Sequence, residues 1–172
     1  MASDLQRKKV SVVFTAMDAD EDGFLERADF EALTDRWTGI RGGDGADLRE
    51  IMMRWWDALS ATADADRDQR ITQEEMLAAV GNLQAMLDLV VATGEAMFEA
   101  VDEDGDGRVA EPEYARMIEA WTGRSAPSRG EFGRLDRNGD GTLSRSEFVT
   151  HWLEFWSGDD EGAPGNHLFG LI

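Results

Sequence analysis

The chain has 172 residues, 42% of them hydrophobic, with six Trp and eight Phe; it is long enough to bury a core and too aromatic for an acidic disordered segment. A formal net charge of -19 at pH 7 would repel nucleic acid and anionic lipid, whose recognition needs clustered Lys and Arg. Cysteine is absent, so disulfides, thiolate metal sites and cysteine nucleophiles are excluded, and no apolar run approaches the roughly 18 to 20 residues of a membrane span, the nearest stretch being Met86–Val91.

In chain order, the first predicted helix opens with a capping box, Ser3 followed by Gln6, and carries Leu5, Val10, Val13, Phe14 and Met17 on one face. It runs into DADEDGFLERAD, Asp18–Asp29, after which Phe30, Leu33 and Trp37 recur at helical spacing. The segment RGGDGAD, Arg41–Asp47, is a glycine-rich turn. The next helix has Ser60 and Ala63 where the corresponding helices have large apolar residues, and is expected to anchor through Ile51, Trp55, Trp56 and Leu59 before DADRDQRITQEE, Asp64–Glu75. From Met76 to Ala100 the chain is rich in Leu, Val, Met and Ala, interrupted by Gly81 and Gly94. A solvated rod would be polar, so this link predicts two halves packed together.

Phe98 and Val101 lead into DEDGDGRVAEPE, Asp102–Glu113, with Pro112 at a helix start, where a missing N–H costs nothing, and Tyr114, Met117 and Trp121 beyond it. After a short turn, Gly123–Ser128, Phe132 and Leu135 precede DRNGDGTLSRSE, Asp136–Glu147, and Phe148, Trp152 and Phe155 follow. His151 is expected to be a partly exposed helix residue, and Trp55, Trp56, Trp121, Trp152 and Trp156 to be core. The final sixteen residues end in Leu168, Phe169, Leu171 and Ile172, whose exposure would be unfavourable, so the tail is expected to dock.

The four twelve-residue windows are one repeat. They hold six, five, six and three acidic residues, 20 of the chain's 36, so the charge is local and not a diffuse coat. Each has Asp at position 1, Asp or Asn at 3, Asp at 5, an apolar residue at 8 and a carboxylate at 12, the spacing of an EF-hand loop. Ca2+ takes six to eight hard oxygens at about 2.3 to 2.6 Å: short side chains at 1, 3 and 5, the backbone carbonyl at 7 and a longer carboxylate at 12. The candidate ligands are Asp18, Asp20, Asp22, the Phe24 carbonyl and Asp29 in loop 1; Asp64, Asp66, Asp68, the Arg70 carbonyl and Glu75 in loop 2; Asp102, Asp104, Asp106, the Arg108 carbonyl and Glu113 in loop 3; and Asp136, Asn138, Asp140, the Thr142 carbonyl and Glu147 in loop 4. The apolar position 8 residues, Leu25, Ile71, Val109 and Leu143, suit a short strand pairing between neighbouring loops, so paired hands are expected.

The loops differ. Asp29 is one methylene shorter than the Glu that ends the others, which leaves loop 1 either a smaller cage suited to Mg2+ or a contracted Ca2+ site. Gln69 stands where position 6 usually has Gly and must adopt a left-handed backbone, at a cost of roughly 1 kcal/mol. Three or four bound Ca2+ are expected, depending on loop 2. Loop 3 has Ala110 at position 9, so a water there lacks a side-chain anchor.

With FLERADFEAL (Phe24–Leu33), the long first interval between loops, DGTLSRSEF (Asp140–Phe148) and GNHLFG (Gly165–Gly170), nearly the whole chain resembles the family of sarcoplasmic calcium-binding proteins and their bacterial calerythrin relatives. The resemblance implies a compact all-α protein with two face-to-face EF-hand pairs, acting as a calcium buffer or calcium-signal modulator. In the calerythrin branch the second hand is degenerate, whereas Asp64, Asp66, Asp68 and Glu75 are all present here.

The expected organisation is an N-terminal EF-hand pair over residues 1–92, a C-terminal pair over 93–158 and a docked tail over 159–172. A cytoplasmic monomer without enzymatic activity is expected, since no signal-peptide pattern, catalytic order or phosphate loop is found. Two other functions compete: a calcium sensor that opens a groove for a target helix, to which eight Met lend some support, and a ligand carrier like the photoproteins or luciferin-binding proteins, which use His, Trp and Tyr around an internal ligand.

Overall fold

The computed structural model describes residues 2–82, 87–123 and 129–170. Eight α-helices are found among them: α1 (Asp4–Met17), α2 (Arg27–Arg41), α3 (Ala46–Ala63), α4 (Gln73–Gly81), α5 (Leu87–Val101), α6 (Glu111–Thr122), α7 (Arg129–Leu135) and α8 (Arg145–Ser157). Strand β1 (Arg108–Ala110) precedes α6, β2 (Thr142–Ser144) precedes α8, and a 3-10 turn spans Pro164–His167. Each acidic window joins consecutive helices, its last three residues opening the second helix, giving four helix–loop–helix units in which α1 and α2, α3 and α4, α5 and α6, and α7 and α8 flank loops 1 to 4.

The helices start and stop where side chains satisfy backbone groups that the helix cannot. Ser3 Oγ accepts from Gln6 N at 3.1 Å, and Gln6 Oε1 accepts from Ser3 N, so α1 begins with the predicted capping box. Thr72 with Glu75 and Ser144 with Glu147 open α4 and α8 in the same way. At the other end the amide of each loop's first Asp closes the last helical turn: Asp18 on Phe14, Asp64 on Ser60, Asp102 on Phe98 and Asp136 on Phe132. Ser60 therefore serves as well as Phe in that backbone role, and the packing it lacks is supplied by Ile51, Trp55 and Trp56, all buried, with Leu59 half-buried against the core.

The loops pair as the apolar position 8 residues predict. Leu25 and Ile71 form one antiparallel bridge, while β1 and β2 form a two-stranded ladder with Val109 opposite Leu143, and all four side chains are buried. The halves then pack together: α2 lies against α3 and also against α6, and α3 and α8 both lie against α5. Gly94 permits the α5–α8 contact, since a Cβ there would lie 2.8 Å from Trp152 Cδ1. Met17, Met76, Met97 and Met117 are buried in one continuous core with Trp37, Trp121 and Trp152. Met86, the turn over residues 124–128, Leu171 and Ile172 lie outside the described residues.

His151 corrects an expectation. It is fully buried, with Nε2 2.6 Å from the Leu135 carbonyl and Nδ1 3.1 Å from Glu154 Oε2. The reason is the tail, which folds back over α8: Glu154 Oε2 also accepts from Gly165 N, Tyr114 donates to the His167 carbonyl, and Leu168 and Phe169 are buried. Phe169 sits among Trp121, Trp152, Phe155 and Trp156, with ring centroids 4.7 to 6.1 Å away. Lys9, also buried, donates from Nζ to the carbonyls of Glu154 and Gly158 at the end of α8, so α1 is fastened to the far half of the chain.

Candidate metal centres

All four loops share one hydrogen-bond scheme. The position 1 carboxylate accepts from the position 6 amide, at 2.9 Å for Asp18 and Gly23, 3.0 Å for Asp64 and Gln69, 2.9 Å for Asp102 and Gly107, and 2.8 Å for Asp136 and Gly141. Side chains at position 3 (Asp20, Asp66, Asp104, Asn138) accept from the position 5 amide, and those at position 5 (Asp22, Asp68, Asp106, Asp140) accept from the position 7 amide. Such turns are what short Asp and Asn side chains form locally. These bonds fix the short side chains at positions 1, 3 and 5 in the same arrangement in every loop.

At position 12 the carboxylate lies at the start of the exiting helix and reaches back across the loop. Glu75 accepts from Ala65 N and Thr72 N, Glu113 from Glu103 N and Ala110 N, Glu147 from Ser144 N, and Asp29 from Ala19 N and Glu26 N. Backbone hydrogen bonds from Thr72 hold the Glu75 carboxyl below the usual carboxylate range. Burial pushes the Asp29 carboxyl up, because this shorter side chain is 5% exposed.

The donor set fits a hard divalent cation. One oxygen each of Asp64, Asp66 and Glu75 lies within 4.8 Å of the others, and so do oxygens of Asp102, Asp104 and Glu113. Like charges this close repel strongly unless a cation lies among them. In loop 1 the converging group is Asp18, Asp20 and Asp22, and it does not include Asp29. Loop 4 offers Asp136, Asn138, Asp140 and Glu147 in the same backbone geometry with fewer charges.

Sequence reasoning located the left-handed residue at position 6, where Gln69 has φ 67°, but missed a second at position 4, where Glu21 has φ 59° and Arg67 φ 63°. Gly105 and Gly139 hold that position in loops 3 and 4, a signal visible in the aligned windows. Lys9 was also missed, although it stands four residues from both Leu5 and Val13 on the apolar stripe of α1.

Paired helix–loop–helix units with convergent carboxylates in their loops define a calcium-binding EF-hand protein. The EF hand family pattern matches residues 10–34 and 130–150, and the EF-hand domain pair pattern matches 67–120. Calerythrin of Saccharopolyspora erythraea is 28% identical, the match covering 92% of this chain and 93% of calerythrin. The alpha chain of sarcoplasmic calcium-binding protein from Penaeus vannamei is also 28% identical, over 94% of this chain and 92% of its own. Among solved structures, the calcium-loaded apo form of coelenterazine-binding protein from Renilla muelleri superposes with a TM-score of 0.80 at 24% identity, over 99% of each chain. The sarcoplasmic calcium-binding proteins and calerythrin are homologues of this chain, and at this identity the coelenterazine-binding protein shows a common fold.

Proposed function

We propose that the chain is a calcium buffer that takes up ions at its four loops through the oxygens named above, without opening a groove for a partner. Phe169 carries this reading: a ring from the tail fills the aromatic centre between α6 and α8, a surface that a sensor would keep for an outside helix. No described helix is long and apolar enough to cross a membrane, and the reading is of a cytoplasmic monomer with no catalytic role. Calcium should raise the melting temperature, since binding to the folded state adds stability by mass action, and should lower binding of a hydrophobic dye. A calcium-loaded form that binds more dye than the ion-free form, or captures amphipathic helical peptides only in calcium, would replace this reading with the sensor.

A second reading, an internal ligand carrier, has one observation in its favour. The indole N–H groups of Trp121, Trp152 and Trp156 are buried without an acceptor among the described residues, and buried donors are ordinarily paired. Against it stands size: the apolar cavity beside Trp55, Trp152 and Trp156 holds about 60 Å³, whereas small-molecule sites run to roughly 300 to 1,000 Å³. Mixing the protein with coelenterazine and following indole fluorescence separates the two, since saturable quenching at one equivalent supports the carrier and no change supports the buffer.

A further inference from the structure

The bridge between Leu25 and Ile71 is antiparallel, so Glu26, position 9 of loop 1, faces Arg70, position 7 of loop 2. The two side chains meet: Arg70 Nε lies 2.7 Å from Glu26 Oε1. The guanidinium also lies 5.2 Å over the Phe24 ring, so a residue of loop 1 fixes its orientation. Glu26 is the one carboxylate at position 9, where the other loops have Thr72, Ala110 and Ser144. In the C-terminal pair the register sets Arg108 opposite Ser144 and Ala110 opposite Thr142, so no such ion pair can form across that ladder.

Of the three loops whose carboxylates converge, loop 1 is the one whose position 12 residue stands outside the group. Two carboxylates could close this cage from the far side: Asp29, which is one methylene shorter than the Glu of the other loops, and Glu26, which is held by a cation from the neighbouring loop. What remains is the group of three short carboxylates, Asp18, Asp20 and Asp22. Mg2+ favours such a set, being small and reluctant to shed water, whereas Ca2+ favours a larger complement of protein oxygens.

We infer that Arg70 is a selectivity-determining residue for loop 1, acting from loop 2. By holding Glu26 out of the cage it keeps loop 1 favourable to Mg2+, and Ca2+ gains Glu26 as a direct ligand only by breaking the ion pair. This rests on the assignment of loop 1 as an ion site made above. The pair is partly exposed, at 50% and 35% for the two side chains. Pairs of this kind hold their partner by up to about 1 kcal/mol, which sets the size of the effect at roughly fivefold in affinity.

The test is competition calorimetry of Ca2+ and Mg2+ on the full chain, with Asp18→Ala identifying the loop 1 site. Arg70→Met should raise Ca2+ affinity at that site roughly fivefold and leave its Mg2+ affinity unchanged, and in a Glu26→Gln background the same substitution should have no effect. In the ion-free protein, the two substitutions should be non-additive in thermal melts, a readout independent of loading. Unchanged selectivity in Arg70→Met overturns the inference. An equal gain in the Glu26→Gln background also overturns it, because general charge removal would then be the cause. If Asp18→Ala leaves the ion count unchanged, the loop 1 assignment itself fails, and that result is distinct from the other two.

Discussion

In the C-terminal pair both left-handed positions of each loop are glycine, at 105, 107, 139 and 141, and a three-residue ladder joins the loops; in the N-terminal pair only one of the four is glycine, Gly23, while Glu21, Arg67 and Gln69 hold the other three, and a single bridge joins the loops. A side chain with a Cβ costs roughly 1 kcal/mol at each such position, so the N-terminal loops carry strain that the C-terminal loops avoid. The tail adds to the difference, since the turn at Pro164–His167 packs on α7 and α8. One loop plan can thus be realised with different rigidity, and the N-terminal pair is the part expected to loosen first when ions are withdrawn.

The largest expected effect concerns the tail. Phe169→Ala should destabilise the protein by about 3 to 5 kcal/mol, the range for deleting a buried aromatic ring, measured by urea unfolding. Hydrogen exchange should locate the loss in α7 and α8. A loss spread evenly over both pairs would remove the tail from the comparison.

Next come the position 12 carboxylates. Glu113→Gln and Glu147→Gln each replace a carboxylate by an amide with one ligating oxygen, and native mass spectrometry should show one ion fewer in each. At a hundredfold excess over the dissociation constant, losing a site removes about 2.7 kcal/mol of calcium-conferred stability. Asp29→Glu should act in the opposite sense on loop 1, moving its preference from Mg2+ toward Ca2+ in competition titrations.

Lys9 tests how the two pairs are joined. Lys9→Met keeps the apolar stem and removes the Nζ that donates to two carbonyls at the end of α8, which should cost about 1 to 3 kcal/mol. Burial lowers the Lys9 amine from 10.5 to about 8. The folded value is the lower one, so the unfolded chain binds more protons between these limits, and stability should rise as pH increases from about 8 to 10.5. That rise should be absent from Lys9→Met in pH-dependent denaturant titrations.

The smallest effect addresses the strain directly. Gln69→Gly should stabilise the ion-free protein by roughly 1 kcal/mol, or about 2 to 4 °C in melting temperature for a chain of this length. Gly107→Gln should do the reverse. If neither moves the melting point, strain does not separate the two pairs.

Much of this was legible in the sequence because it is local. A capping box, an apolar stripe and a twelve-residue carboxylate spacing each involve residues within about a dozen positions of one another, so Ser3 with Gln6 and the four loops could be read directly. The left-handed angle at Gln69 followed from the loop plan, and those at Glu21 and Arg67 could have been found by aligning the windows against Gly105 and Gly139. His151, Lys9 and Arg70 could not be read this way. Their roles depend on partners distant in sequence: the tail over α8, carbonyls of α8 brought to α1, and a carboxylate set opposite by the pairing of two loops. The sequence by itself determined the helices, the ion-binding loops and the EF-hand class, since short-range sterics and ligand chemistry require particular residues at particular spacings. Only the tertiary structure decided which side chains are withdrawn from solvent and which charges meet across loops, because burial and cross-loop register arise when segments far apart in the chain pack together.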